Sequence, residues 1–167
     1  MRRLHPRLAL PLLAAFGALA PLAYVSPLRA QDDFERRELT IPVRDGAKLF
    51  AVALVPKSMA TPLPIMLIRT PYSAAGAFRT AVLPVSYREL AKDGYIFVTE
   101  DVRGRYGSDG QFVMNGALHD PKDPKGVDEA TDTWDTIDWL VKNLPNNSGK
   151  VGVMGVSYPG WLAGIAG

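Results

Sequence analysis

The sequence predicts an α/β fold in which an antiparallel hairpin leads into a mostly parallel sheet flanked by helices. Three observations carry that reading. Short apolar, β-rich runs recur at residues 65–68, 95–102 and 151–156, too short for helices and apolar enough to lie buried in a sheet. Residues 86–92 and 127–143 have helical character and separate these runs, and strand, helix, strand spacing implies right-handed parallel crossovers. Ahead of them, β-rich residues 34–43 and 47–55 flank Arg44, Asp45 and Gly46, where an Asp-Gly step marks a hairpin turn.

The N-terminus differs from the rest. Arg2, Arg3 and Arg7 precede an uncharged Ala/Leu-rich run over residues 8–25, and Ala30 offers a small residue for cleavage before Gln31. That pattern is a secretory signal, so residues 1–30 are expected to be a signal peptide and 31–167 the domain, exported to the periplasm or the extracellular space. The alternative is a membrane anchor formed by residues 8–25, since a span needs about 18 to 20 apolar residues. Pro11, Gly17 and Pro21 interrupt the run, and Asp32 and Asp33 follow it closely, which favours cleavage.

Composition, at 47% hydrophobic and 22% charged over 167 residues, suits a globular domain. Residues 1–30 hold four of the 19 basic residues and none of the 17 acidic ones, leaving 15 against 17, or −2, for the remainder. No basic surface is left to argue for nucleic acid. Without cysteine there is no disulfide framework, and stability must come from an apolar core.

In chain order, the hairpin is read as scaffold. Residues 57–64 form a loop closed by Pro64, and the strand after it delivers Arg69, Thr70, Pro71 and Tyr72 at its C-terminal end, the sheet edge where open α/β proteins bind ligands. A short helix over 86–92 stops at Asp93 and Gly94. The strand over 95–102 runs into a loop punctuated by Gly104, Gly107 and Gly110, with Arg103, Arg105 and Asp109. The loop is read as structural support for the site: glycines permit close approach, and Arg103 can pair with a carboxylate beneath; an anion-binding nest is the weaker alternative. Residues 116–126 add a loop with His119, Asp120 and Asp123. A calcium site from Asp120, Asp123, Asp128 and Glu129 matches no EF-hand spacing, and no metal or cofactor is expected. The helix over 127–143 places Ala130, Trp134, Ile137, Val141 and Leu144 on one face, with the tryptophans packed in the core. Asp128, Glu129 and Asp132 lie at its positive end and Lys142 near its negative end.

The stretch of greatest chemical interest follows. The run over 151–156 ends in Ser157, with Gly155 before it and Gly160 after it, and an apolar helical segment begins near Trp161. A serine at a sharp strand-to-helix turn is a nucleophile elbow, the arrangement of α/β-hydrolases. Gly155 is small because strand and helix backbones nearly touch there. Pro159 stands where G-x-S-x-G has its last glycine, and proline is tolerated in a first helical turn. The rival readings are a serine that merely caps the helix and a phosphate loop. Trp161 and Leu162 stand where a P-loop needs Lys and Ser or Thr, and no dinucleotide fingerprint occurs.

Four blocks in order, R-T-P-Y at 69–72, D-V-R-G-R-Y-G-S-D-G at 101–110, D-T-W-D-T-I-D-W-L at 132–140 and G-V-S-Y-P-G at 155–160, resemble the CocE/NonD serine hydrolases, which include the Xaa-Pro dipeptidyl-peptidase (S15) enzymes. The resemblance implies Ser157 as nucleophile, with the Tyr72 hydroxyl and the Tyr158 backbone N–H forming the oxyanion hole. It implies a small-molecule ester, amide or short-peptide substrate, and leaves the choice between dipeptidyl-peptidase, esterase and acylase open. It also places the catalytic acid and histidine after the nucleophile. His119 precedes Ser157 and is read as a loop or substrate-rim residue; the other histidine, His5, lies in the signal. The chain is therefore expected to be an N-terminal portion of an α/β-hydrolase fold, inactive alone, its Ser157-bearing strand at an exposed sheet edge. A secreted, non-catalytic binding module is the contrasting expectation.

Overall fold

The computed structural model describes residues 33–123 and 125–166; the expected signal peptide, the alternative anchor and His5 lie outside them. Among the described residues no helix is long and apolar enough to cross a membrane.

β1 (Phe34–Pro42) and β2 (Lys48–Pro56) form the expected hairpin, closed by Gly46 N–H donating to Val43 O at 2.8 Å. β3 (Leu63–Thr70), β4 (Ile96–Asp101) and β5 (Asn147–Val153) complete a five-stranded sheet in the order β1-β2-β4-β3-β5. β4 pairs antiparallel with β2, and β3 lies parallel between β4 and β5. The parallel half carries the site. Among the described residues β5 stands at one end of the sheet order.

Two strands, β3 and β5, depart from the sequence reading in their bounds. β3 begins at Leu63, so Pro64 lies inside a central strand instead of closing a loop. The register with β5 shifts between Leu63 and Ile65, and such a bulge is where a strand tolerates a residue without an N–H. β5 starts four residues earlier than residue 151, because Leu63 N–H already donates to Asn146 O at 3.0 Å. It also ends earlier: Met154 N–H donates to Leu67 O at 3.0 Å, after which Gly155 and Val156 belong to the turn.

Side chains alternate across the sheet as the strand period dictates. Leu49, Ala51, Ala53, Ile65, Leu67, Ile96 and Val98 face α3 (Glu129–Asn143), meeting Leu140 and Leu144. Val52, Leu54, Met66 and Phe97 face the other way, towards α1 (Ala74–Ala77) and α2 (Arg88–Asp93). A 3-10 turn, Val85–Tyr87, precedes α2.

α3 buries only part of the predicted face: Leu144 lies in the core and Ile137 packs against it, but Trp134 does not. Thr133, Thr136 and Leu140 point inward, while Trp134 is 62% exposed beneath the Arg44 guanidinium; Trp139 alone of the pair packs against the core. The cause is a buried ion pair. Arg69 in β3 and Glu100 in β4 are fully buried, Nε to Oε1 2.7 Å. Arg69 Nη1 also donates to Glu129 O and Thr133 Oγ1, both at 2.7 Å, and Thr136 Oγ1 donates to Glu100 Oε2. Buried charges need such partners, so the first turns of α3 turn a polar face inward.

Candidate active site

The turn after β5 is built by close backbone contact. Ser157 has φ 61° and ψ −128°, a conformation disfavoured for any residue with a side chain and found where surrounding structure imposes it. α4 (Tyr158–Gly164) begins at once, Pro159 in its first turn, and Trp161 N–H donates to Ser157 O at 3.0 Å. The helix thus starts three residues before Trp161. Ser157 occupies the N-cap position, yet its side chain makes no capping hydrogen bond, and the residue is exposed. The hydroxyl is not spent on the helix.

Tyr72 and Ser157 leave the sheet at one edge. Leu67 of β3 and Val153 of β5 are paired in register; Tyr72 follows five residues after Leu67, and Ser157 four after Val153. The Tyr72 N–H donates to Thr70 Oγ1 at 3.0 Å, closing its turn, and its side chain is 61% exposed. The Tyr158 N–H is among the first of α4, groups that have no partner within a helix. A cavity of about 370 Å³ opens beside the elbow, lined by Ile68, Thr70, Phe78, Tyr87, Met154 and Val156. A larger one, about 630 Å³, lies at the opposite end of the strands near Leu63 and Gly94 and is remote from this edge.

The β4–α3 loop braces the site. Asp101 Oδ1 accepts from Ala74 N–H at 2.6 Å, and Oδ2 from Gly107 N–H at 3.2 Å; burial pushes its carboxyl up, against those two donors. Arg103 pairs with Asp132 and with Asp45, each at 2.7 Å, which is the carboxylate partner the sequence anticipates. These bonds, the one to Asp132 first, raise its pKa further. Burial opposes the charge on Arg69, and Glu100 and Glu129 outweigh it. Glu129 Oε2 lies 3.0 Å from Arg69 Nη1, near enough for charge attraction but out of line for a hydrogen bond.

The remaining candidates are occupied locally. His119 Nδ1 lies 2.8 Å from Asp128 Oδ2, which also accepts the His119 backbone N–H at 2.9 Å. Asp120 and Asp123 turn back onto the N–H groups of Lys122 and Lys125, and Asp128 caps α3. Among the described residues no group of three or more His, Asp or Glu is placed to hold a metal. Arg105 belongs to the loop that the sequence marks as support for the site, but its partners, and any part for Phe112, are visible only in the contacts.

Strand order, parallel centre and strained strand-to-helix turn define the sheet of an α/β-hydrolase. Residues 45–166 match the model of the X-Pro dipeptidyl-peptidase (S15) family, and the chain belongs to that family of hydrolases. It is 34% identical over 130 residues to the cocaine esterase of Rhodococcus sp. (strain MB1 Bresler), covering 76% of this chain and 20% of that protein. Among solved structures it is similar to an α-amino acid ester hydrolase, at 43% identity and TM-score 0.74, over 90% of this chain and 26% of that one. An aminopeptidase from the marine sediment archaeon Thaumarchaeota archaeon matches at 40% and 0.72, over 90% and 25%. The chain thus spans about a fifth to a quarter of these relatives.

Proposed function

We propose that these residues carry the nucleophile and oxyanion hole of a serine hydrolase that cleaves small esters or amides by acyl transfer. The observation that carries the reading is Ser157 itself: held at positive φ between β5 and α4, exposed, with no helix cap to satisfy. A general base removes the Ser157 proton as Oγ attacks the carbonyl carbon. The carbonyl π electrons move to oxygen, and the anion is held by the Tyr72 hydroxyl and the Tyr158 N–H. Collapse expels the alcohol or amine, which takes the proton from the base, and leaves an acyl-serine. Water, deprotonated by the same base, hydrolyses it and restores the Ser157 hydroxyl. The base and its orienting acid are supplied by a histidine and a carboxylate later in the whole protein.

The relatives divide between an ester hydrolase and an esterase on one side and an aminopeptidase on the other, so both ester and peptide substrates fall within the proposed activity. Export rests on the basic and apolar pattern of residues 1–30. The test is labelling of the whole protein with a fluorophosphonate. Ser157 is modified and Ser157→Ala abolishes both labelling and ester turnover; labelling that survives the substitution removes Ser157 as nucleophile.

A further inference from the structure

The two oxyanion donors stand on different elements, Tyr72 after β3 and Tyr158 at the start of α4, and an oxyanion hole works only when its donors are held about 2.7 to 3.1 Å from one point. One side chain reaches towards both. Arg105 Nε donates to Pro71 O at 3.1 Å, fixing the peptide group that leads into Tyr72. The same guanidinium lies 5.1 Å over the Phe112 ring and 5.3 Å over that of Tyr106. Phe112 in turn packs on Tyr158, ring centroids 6.3 Å apart, while the Tyr158 hydroxyl accepts the Asn115 N–H at 3.1 Å and its ring meets Trp161 at 5.2 Å.

The base from which Arg105 reaches is itself clamped. Arg105 N–H donates to Val102 O, Gly104 N–H to Asp109 O, and Asp109 N–H to Lys48 O. Ser108 Oγ accepts from Phe50 N–H at 2.9 Å and donates to Asp101 O at 2.6 Å. Gly104 sits at φ +69° with no room for a Cβ beside Phe112 N. The loop is therefore tied to β2 and β4, and Arg105 transmits that fixed position to Pro71 on one side and, through Phe112, to Tyr158 on the other.

We propose that Arg105 is a positioning residue for the oxyanion hole, holding the Tyr72-bearing turn and the Tyr158-bearing elbow in fixed relation through Pro71 O and the Phe112 ring. The inference rests on the acyl-transfer reading of Ser157. It predicts an effect specific to the tetrahedral state, since ground-state substrate has no charged oxygen to hold.

The experiment uses the whole protein and three readouts: ester kinetics, inhibition by phenylboronic acid, whose tetrahedral serine adduct carries the oxyanion, and fluorophosphonate labelling of Ser157. Arg105→Met is expected to lower kcat about tenfold, the effect of losing one hydrogen bond's worth of positioning. KM changes less than about twofold, and boronate inhibition weakens about as much as kcat. Arg105→Lys keeps a donor for Pro71 O but loses the flat guanidinium over Phe112, and recovers part of the loss. Should Arg105→Met misfold, Phe112→Leu removes the ring between Arg105 and Tyr158 and is expected to show the same split. Unchanged kcat and boronate affinity in folded variants, with Ser157 still labelled, overturn the brace and leave the hydrolase reading standing. Wild-type protein that neither labels at Ser157 nor binds the boronate overturns both.

Discussion

Gly155 lies directly beneath Pro159: a Cβ added to Gly155 would overlap the Pro159 carbonyl group. The contact sets the sharpness of the elbow, because β5 and α4 can approach only where one of them has no side chain. Gly155→Ala therefore pushes α4 away from β5 and moves Ser157 with it. Overpacking of this kind costs about 1 to 3 kcal/mol, and small displacements of a nucleophile reduce rate by about 10²-fold. Fluorophosphonate labelling of Gly155→Ala is expected to slow by one to two orders of magnitude on that basis. Gly164, at the end of the same helix, has nothing within 4 Å of its would-be Cβ, so Gly164→Ala should leave labelling unchanged. Equal effects at the two positions would show that the backbone contact is not what shapes the turn.

Tyr72→Phe separates a donor from a packing residue. The ring is 61% exposed and its hydroxyl contributes little to folding, so the unfolding midpoint should not move. If the hydroxyl holds the oxyanion, kcat falls about 10²-fold with little change in KM. Full turnover in Tyr72→Phe would leave the hole to backbone donors alone.

What could be read in the sequence follows from how local each signal is. The hairpin turn at Asp45 and Gly46 and the elbow at Gly155 and Ser157 are written in adjacent residues, and both stand where the sequence puts them. Apolar spacing put Ile137 and Leu144 on the inward face of α3, but could not show the rest of that face. It is set by Arg69 and Glu100, which lie 29 or more residues before Glu129, and a buried ion pair makes Thr133 and Thr136 core residues and sends Trp134 to the surface. Arg105 was legible only as part of a loop supporting the site; its contact with Pro71, 34 positions away, exists only in the fold.

The buried pair gives a stability prediction. Burial pushes the Glu100 carboxyl up, and the Arg69 guanidinium opposes that. Arg69→Met leaves Glu100 buried with only Thr136 as partner and strands the polar face of α3, a loss of about 3 to 5 kcal/mol. Arg44→Met removes an ion pair to Asp135 at 3.0 Å whose arginine is over a third exposed, and should cost about 1 kcal/mol or less. Urea unfolding of the two variants tests the contrast; comparable losses would mean that the Arg69 cluster is not what holds α3 to the sheet.

Asp128 supplies a prediction in pH. Its carboxylate accepts the Thr131 N–H at 2.7 Å and the His119 N–H at 2.9 Å, and the His119 ring stands against it. Burial pushes the carboxyl up, but those bonds, Thr131's first, outweigh it and hold the group well below its ordinary value of 3.8. A carboxyl depressed by folding contributes stability that is fully present above its unfolded value and is lost as pH falls through its folded one. Wild-type protein should therefore lose this contribution progressively below about pH 4. Asp128→Asn keeps a capping oxygen for Thr131 but no charge for the positive end of α3, and should be less stable by about 1 kcal/mol at neutral pH. Since Asn does not titrate, the two unfolding midpoints should converge as pH is lowered from 7 towards 2.5, about a unit below the unfolded carboxyl value. A gap that stays constant over that range would assign the whole effect of Asp128 to shape and none to its charge.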